Sequence, residues 1–394
     1  MSKPELDPEL LKAIVQVNDD YLRDDSILFQ DESANAAEIF KAAKKFATKR
    51  KTPRGCIAPK CSSPSVRRSH TIQKASLECI AEGRHVLALE ANHKSNRVEM
   101  RRLGINRASA FPGFCVKHEQ MFGQFERLGR LEPENDLTLQ IYRSVCREIV
   151  RLRIDTDAAK EGLEDYLEFR RRKLEGLYRE RISDQTFSLT KVKTSDPRES
   201  EAHRRLASAE RALASFQDEF EPAALAGLSD LERGLCVCAV MVDEALPVCL
   251  SGHGNFHIET NEGISNVRAL LLVLPQGSET IVSISVLQSD RDHLERYLRK
   301  FAGSLGLLCM IESWMIHGTD HWFISPSIWK SIDPTERRNI LDDILDESRD
   351  IGCYYQHTIF NDLKRRTIRE LQEKLNRPPG LNILIDQELR KFSD

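Results

Sequence analysis

The hydrophobic and polar positions divide the first part of the chain into helical stretches and one irregular loop. Residues 36–50 place apolar side chains at helical spacing, with lysines on the opposite side. Residues 51–64 are rich in Pro, Gly, Ser and Cys, which is typical of a loop, and residues 69–81 return to a helical pattern. Apolar residues at steps of three and four predict a further amphipathic helix over residues 133–152.

Residues 157–220 are strongly charged, and their apolar residues recur every three or four positions, as in paired helices. The apolar positions are Leu163, Leu167, Leu174 and Leu177 in one series, and Leu206, Ala209, Leu213, Phe216 and Phe220 in the other. Asp196 and Pro197 are a helix cap and a first-turn proline, so the second helix is predicted to begin there. We expect an antiparallel hairpin. The alternative is an intermolecular coiled coil, but each series is shorter than the roughly three heptads that would favour one.

The last part of the chain alternates short β-type stretches with turn residues and then becomes helical. Strands are predicted over residues 235–242, 248–250, 255–260, 268–274 and 280–287. Helices are predicted over residues 290–301, 333–349 and 360–375. This order of elements indicates an α+β domain with a mainly antiparallel sheet.

The composition indicates a multidomain protein with enough apolar residues to form hydrophobic cores. The chain has 394 residues, which is more than one ordinary core holds, and 40% of them are hydrophobic. No apolar run approaches the ~20 residues that span a bilayer, and the acidic N-terminus lacks the pattern of a signal peptide. We therefore expect a cytoplasmic protein without a membrane segment, whose ten cysteines are thiols or metal ligands.

Charge is concentrated near the N-terminus. Residues 39–77 contain eleven Lys or Arg and no Asp or Glu, although the net charge of the chain is −3. Such a block attracts a polyanion, because each phosphate that a cation neutralises releases condensed counterions. Nucleic acid, either DNA or RNA, is the predicted partner; the alternative is that the block pairs with the acidic residues 1–38. The candidate phosphate-binding residues are Lys44, Lys45, Lys49, Arg50, Lys51, Arg54, Arg67, Arg68 and Lys74.

Two closely spaced ligand pairs predict a zinc site in the same region. Four residues separate Cys56 from Cys61, two residues separate Cys115 from His118, and each pair lies beside Gly or Pro. Thiolate and imidazole donors that converge from two tight turns suit a tetrahedral structural Zn²⁺. The alternative is that the first two cysteines are ordinary thiols and that the second pair packs in a core.

The order of these pairs around the Ser69–His70 dipeptide resembles treble-clef zinc proteins of the HNH endonuclease type. The resemblance covers about residues 50–125. It implies that His70 is the general base that activates water, and that a Mg²⁺ or Mn²⁺ ion lies near Glu119. Ser69 stands where the family has an acidic or imidazole metal ligand.

The predicted fold class is an α+β multidomain protein. It comprises a zinc-stapled, mainly helical N-terminal domain, a central antiparallel helical hairpin and a C-terminal α+β domain. The predicted boundaries are 1–38 for an acidic segment, 39–155 for the basic zinc domain, 156–222 for the hairpin and 228–394 for the C-terminal domain.

The predicted function is that of a zinc-containing nucleic-acid-binding protein in bacterial defence or in a mobile element. One alternative is an HNH-like, metal-dependent endonuclease. The other is a protein-interaction scaffold with a purely structural zinc ion. Its hairpin and C-terminal domain would recruit a protein partner, or the hairpin would bind a second copy. The chain has no Gly-rich phosphate loop, Gly-x-Ser-x-Gly or His-Glu-x-x-His motif, so nucleotide hydrolases, serine esterases and zincin proteases lack their main sequence support.

Overall fold

The computed structural model describes residues 55–92, 97–181, 197–260, 263–346, 350–352 and 359–375, together with residues 8, 12, 15 and 16. The helix predicted over residues 36–50 lies outside these ranges. The chain separates into two compact units. One contains Arg151–Ser215, and the other combines Thr52–Val150 with Phe216–Asp394.

Nine strands occur within the described residues. They are β1 (Ser69–His70), β2 (His85–Asn92), β3 (Arg97–Gly104), β4 (Ala110–Phe111), β5 (Cys236–Val242), β6 (Val248–Thr260), β7 (Gly263–Gln276), β8 (Glu279–Val286) and β9 (Trp322–Ile324). β1 pairs with β4, and the other seven form one sheet in the order β3-β2-β9-β6-β7-β8-β5. All neighbouring strands are antiparallel, which confirms the predicted sheet type.

Eleven α-helices occur in the same part of the chain. They are α1 (Lys74–Ile80), α2 (Val116–Glu119), α3 (Gly123–Leu128), α4 (Pro133–Arg181), α5 (Pro197–Ser215), α6 (Glu221–Gly227), α7 (Arg291–Lys300), α8 (Gly303–Ser313), α9 (Pro326–Ser331), α10 (Pro334–Asp343) and α11 (Asn361–Leu375). Short 3₁₀ or π turns lie at Gln120–Phe122, Phe216–Phe220, Leu231–Arg233, Gln288–Asp290 and Trp314–Gly318. No described helix combines the length and the hydropathy that a membrane span requires.

The large sheet takes strands from two distant parts of the chain. β2 and β3 come from the predicted zinc domain, and they join the C-terminal strands through β9, where Leu87 pairs with Ile324. The predicted domain boundaries therefore separate strands that belong to one sheet. The sequence patterns predict neither β2 nor β3, because charged residues such as Glu90 and Arg101 interrupt their apolar positions.

The central strands of this sheet are covered on both faces. On one face, Leu271 of β7 belongs to a buried cluster with Trp314 and apolar side chains of α7 to α11. On the other face, the Cys249 thiol of β6 donates to the Ser76 carbonyl of α1 at 3.3 Å. Consecutive residues 269–274 are completely buried, as expected for a strand with no solvent-facing side.

The unit that contains Arg151–Ser215 is a helical hairpin, as predicted. Its first helix is the end of α4, a single helix of 49 residues where the sequence patterns predict two. Residues 153–156 contain no Gly or Pro, so nothing breaks the helix there. The hairpin buries Leu163 and Leu174, and Arg170 forms an ion pair with Glu199 of α5.

His321, just before β9, is a buried neutral group. Its side chain is within hydrogen-bonding distance of the Ser251 carbonyl, with 2.6 Å from Nδ1 to the oxygen, and the residue is 8% exposed. Burial lowers the pKa of His321 to about 3, and the positive charge of Arg147 contributes to the shift. The folded chain therefore holds this imidazole uncharged where an unfolded chain would protonate it.

We predict that His321 makes the folded state less stable in acid. The unfolded chain binds a proton at this residue near pH ~6.5, whereas the folded chain does so only near pH 3. The free energy of unfolding should therefore fall by up to ~1.4 kcal/mol per pH unit below ~6.5, and this residue should have no effect above that pH. Denaturant titrations at pH values from about 7.5 to about 5 should show a shallower decline for His321→Asn than for the parent. Parallel declines would contradict the assignment.

Candidate metal centre

Cys56 and Cys61 lie on a tight loop that backbone hydrogen bonds hold closed. The Cys56 amide donates to the Ser63 carbonyl at 2.8 Å, and the Cys61 amide donates to the Ala58 carbonyl at 3.2 Å. Lys60 has a φ of 58°, in the left-handed region, which lets the chain reverse just before Cys61. The loop therefore returns on itself between the two thiols.

Cys115 and His118 come from the start of α2. Cys115 is the N-cap residue, and His118 lies within the single turn that follows. Residues three positions apart on a helix face the same side, so both side chains can reach one ion. Gly113 allows the approach to this turn, because a Cβ at that position would lie 2.2 Å from the ring of Phe111.

Two hydrogen bonds hold the cysteine loop against the segment that leads into α2. The Ile57 amide donates to the Gly113 carbonyl at 2.9 Å. The Cys115 amide donates to the Cys56 Sγ atom at 3.3 Å, the kind of contact that stabilises a thiolate. The two predicted ligand pairs are thus joined through the backbone as well as through their side chains.

The four side chains converge on one point. All four ligand atoms lie within 4.8 Å of one another. His118 Nδ1 lies 3.4 Å from Cys56 Sγ and 3.3 Å from Cys115 Sγ, and Cys61 Sγ lies 3.9 Å from Cys115 Sγ. A tetrahedral Zn²⁺ with Zn–S bonds of ~2.3 Å and Zn–N bonds of ~2.0 Å separates its ligand atoms by ~3.5 to ~3.8 Å.

This donor set is compatible with a structural zinc ion. The 3.9 Å between the Cys61 and Cys115 sulfur atoms is far longer than the ~2.05 Å of a disulfide. Three thiols and an imidazole complete a four-coordinate shell and leave no open position for a substrate. No other group of three or more His, Cys, Asp or Glu in the described part of the chain converges in this way.

The protonation of the thiols is set by their surroundings. Burial raises the pKa of the Cys56 thiol to about 11, whereas a hydrogen bond from the Ser63 backbone lowers the pKa of Cys61. A metal ion that binds here must displace protons, because thiolate and not thiol is the ligand.

Arg143 of α4 forms a buried ion-pair network next to this centre. Its side chain is 2% exposed, and it donates to Glu126 at 2.6 Å and to Glu119 at 3.4 Å. The guanidinium carbon lies 4.5 Å from the centroid of the Phe122 ring. Two carboxylates and an aromatic face surround the buried cation and offset the cost of its burial.

His70, one of the two predicted catalytic residues, lies on β1 opposite Ala110 of β4. Burial lowers the pKa of His70, the charge of Arg143 lowers it further, and a hydrogen bond with the Asn106 backbone partly opposes both. Its Nε2 atom is buried and has no hydrogen-bond partner among the described residues. A neutral imidazole with an unoccupied nitrogen has the protonation state that a general base needs.

Glu119, the other predicted catalytic residue, interacts with Arg143 and with the Ser69 hydroxyl. Burial raises the pKa of Glu119, and the charge of Arg143 opposes that shift. A divalent cation at Glu119 would meet the positive charge of Arg143, which is unfavourable. Both His70 and Glu119 therefore lie in the field of one arginine, but they are not part of a second metal-ligand cluster in the described residues.

The predicted phosphate-binding residues fall into two groups. Six of them lie outside the described residues: Lys44, Lys45, Lys49, Arg50, Lys51 and Arg54. Arg67 and Arg68 are exposed on the turn before β1. Lys74 of α1 is half-buried. Its Nζ atom lies 3.7 Å from Oε1 of Glu78, which is one helical turn further along the chain.

Three exposed cations on the ligand-bearing segments or just before β4 are absent from that predicted set. Lys60 precedes the ligand Cys61, and Lys117 lies between the ligands Cys115 and His118. Arg107 belongs to the turn before β4, and only the pairing of β4 with β1 places it near the basic block. The two lysines could have been found from the sequence, because they lie next to predicted ligands. The location of Arg107 beside the β1–β4 pair is known only from the fold.

We predict that the purified chain carries one Zn²⁺. Elemental analysis should find one equivalent, and Cys115→Ser should lose it and lower the melting temperature, because the metal contributes directly to folding free energy. Cys79→Ser makes the same chemical change at an exposed cysteine of α1 outside the cluster, and it should keep both properties. A zinc-free parent, or a Cys115→Ser protein that melts like the parent, would refute the site.

No protein-family model matches this chain, and no curated protein and no solved structure does so either. The assignment of the four ligands therefore rests on the residue types, their spacing and the distances between their ligand atoms.

Proposed function

We propose that the zinc module, defined as residues 55–131, binds the phosphates of DNA or RNA and that a zinc ion stabilises its structure. The observation that carries the proposal is an imbalance in side-chain pairing within this module. Its carboxylates are engaged by partners inside the protein, whereas several of its exposed cations have none among the described residues.

The zinc module contains six Glu and no Asp. Every one of these glutamates has a partner within the protein. Glu78 pairs with Lys74, Glu82 accepts from Ser325 and Ser327, Glu90 and Glu99 pair with Arg101, and Glu119 and Glu126 pair with Arg143. Little negative charge is therefore left to compete with an incoming phosphate.

The same module contains thirteen Lys and Arg. Nine of them are exposed, and the ion pairs of the described residues include none of the nine. Five of the nine lie on the cysteine loop, on α2 or next to the β1–β4 pair: Lys60, Lys117, Arg67, Arg68 and Arg107. Unpaired, exposed cations are the groups that contact phosphate in nucleic-acid complexes, and guanidinium groups can do so with two hydrogen bonds.

The metal centre would fix these cations relative to one another. Lys60 lies on the cysteine loop and Lys117 on α2, and the convergence of the four ligands joins these two segments. Arg68 and Arg107 lie on either side of the β1–β4 pair. Cations that are already in place lose less conformational entropy when a phosphate backbone binds.

We predict that the parent protein binds duplex DNA or single-stranded RNA with an affinity that falls steeply with salt. Removing two phosphate contacts in Arg67→Ala/Arg68→Ala should weaken binding about tenfold at low salt. It should also reduce the slope of log affinity against log salt by ~2, for all sequences alike. Fluorescence anisotropy with labelled oligonucleotides at several salt concentrations measures both quantities.

The matched control is Arg291→Ala/Arg299→Ala. It removes the same charge from two exposed arginines of α7, outside the zinc module, each of which lies close to Glu295. This variant should bind like the parent. If neither nucleic acid binds the parent at low salt, or if the two double variants lose affinity equally, the proposal is wrong.

A second candidate function is phosphodiester cleavage with His70 as the general base. The state of His70 favours it, since its pKa is lowered and its buried Nε2 atom lacks a partner in the described part of the chain. The order of a cysteine loop, the β1–β4 pair and a helix that begins at Cys115 is compatible with the sequence resemblance to treble-clef proteins. A Mg²⁺ or Mn²⁺ ion would stabilise the charge on the cleaved phosphate.

We predict that any nicking of a supercoiled plasmid in the presence of Mg²⁺ or Mn²⁺ depends on His70. His70→Ala should abolish nicking, and the parent should stay active below pH ~6.5, because a lowered pKa keeps the base uncharged in that range. His85→Ala, at another histidine of the zinc module, should nick like the parent. The absence of nicking by the parent, or nicking that survives His70→Ala, would exclude this function.

A further inference from the structure

The two edges of the seven-stranded sheet differ in how they are protected. β3 forms one edge and carries Glu99, Arg101 and Arg102. β5 forms the other edge, and none of its residues from Cys236 to Val242 is charged. Exposed edge strands normally carry charges or Pro, because their free backbone groups otherwise pair with another strand. β5 lacks this protection.

Several exposed apolar side chains of the described residues lie on β5 or shortly before it in the sequence. Ten large hydrophobic residues are exposed, and four of them lie between residues 228 and 240. They are Leu228, Leu231, Val237 and Val240, exposed by 38%, 67%, 40% and 47% respectively. Val237 and Val240 lie on opposite sides of β5, so both sides of this edge strand expose apolar surface.

β5 is accessible in three directions. It pairs with β8 on its inner side and with no other described strand. Val237 and Ala239 face one side of the sheet and Cys238 and Val240 the other, and all four are exposed. The helices that cover the central strands therefore leave the middle of β5 open, which permits both backbone pairing and side-chain contact.

We propose that β5 pairs with β5 of a second copy of this chain. An isologous contact about a two-fold axis pairs the strand antiparallel with itself, which continues the antiparallel order of the sheet. The uncharged strand places no like charges opposite each other. Arg233 is the charged residue nearest to its N-terminal end, and Asp243 is the nearest to its C-terminal end. Antiparallel pairing brings Arg233 of one copy towards Asp243 of the other, so the ends are complementary.

The test is the oligomeric state of the full chain and of two lysine variants. Sedimentation velocity from about 1 to about 100 µM should show a dimer of the parent. Val240→Lys places a charge on the open edge and should weaken the dimer at least tenfold, as lysines do on natural edge strands. Ile264→Lys makes the same kind of change at a residue of β7 that is 73% exposed and outside the β5 edge, and it should leave the dimer intact.

A parent that stays monomeric at every concentration overturns the proposal. A Val240→Lys protein that melts like the parent and still dimerises like it also overturns the proposal, because the dimer must then use another surface. These outcomes are independent of nucleic-acid binding, since the proposed contact involves no residue of the zinc module.

If Val240→Lys does not fold, thiol cross-linking of the parent and of cysteine variants tests the proposed pairing of β5. Antiparallel pairing about the middle of β5 brings the Cys238 side chains of the two copies within ~8 Å, which a short bismaleimide spans. The parent and Cys79→Ser, a change at another exposed cysteine, should give a covalent dimer, whereas Cys238→Ser should give none. Equal cross-linking of all three proteins, or no cross-linking of the parent, contradicts pairing through β5.

Discussion

The convergence of three thiols and one imidazole determines where several other parts of the zinc module lie. It closes the Cys56–Cys61 loop against the start of α2, although more than fifty residues separate the two ligand pairs. The chain between them leaves through β1 and returns through β4, and these two short strands pair. The excursion between β1 and β4 contains the hairpin of β2 and β3, which enters the large sheet. A strand pair of only two residues on each side is too short to keep the two ends of this intervening segment together. The ligand cluster is therefore the main local constraint on where those ends lie.

The charge of the zinc module follows from which side chains are engaged and not from the net charge of the chain. The whole sequence carries −3, yet the exposed side of this module is dominated by cations. Arg143 forms ion pairs with both Glu119 and Glu126, so one buried cation engages two carboxylates. An internal ion-pair network thus increases the positive charge that remains at the surface, an effect that composition alone does not reveal.

Local chemistry could be read from the sequence, whereas long-range pairing could not. The four ligands were predictable because their spacing within each pair is a local property, and β5, β7 and β8 follow from runs of apolar and β-branched residues. Residues 69–81 show where prediction from local apolar spacing fails. Its apolar spacing predicts one helix, but Ser69 and His70 pair with β4 and only Lys74–Ile80 is helical. β9 has three residues, too few for any periodicity, and it joins the two parts of the sheet.

The pairing of Leu87 with Ile324 has a consequence for the order in which the protein is made. During translation the hairpin of β2 and β3 leaves the ribosome more than two hundred residues before β9 does. Until then the inner side of β2 has no native neighbour, and contacts of such high sequence separation form slowly. A chain cut between His118 and Trp322 would keep the four candidate metal ligands and still lack the strand that pairs with the inner side of β2. The part of this protein that carries the candidate metal ligands is therefore continuous in space with its C-terminal sheet. Truncation at the predicted boundary would leave an unfinished sheet in place of an independent domain.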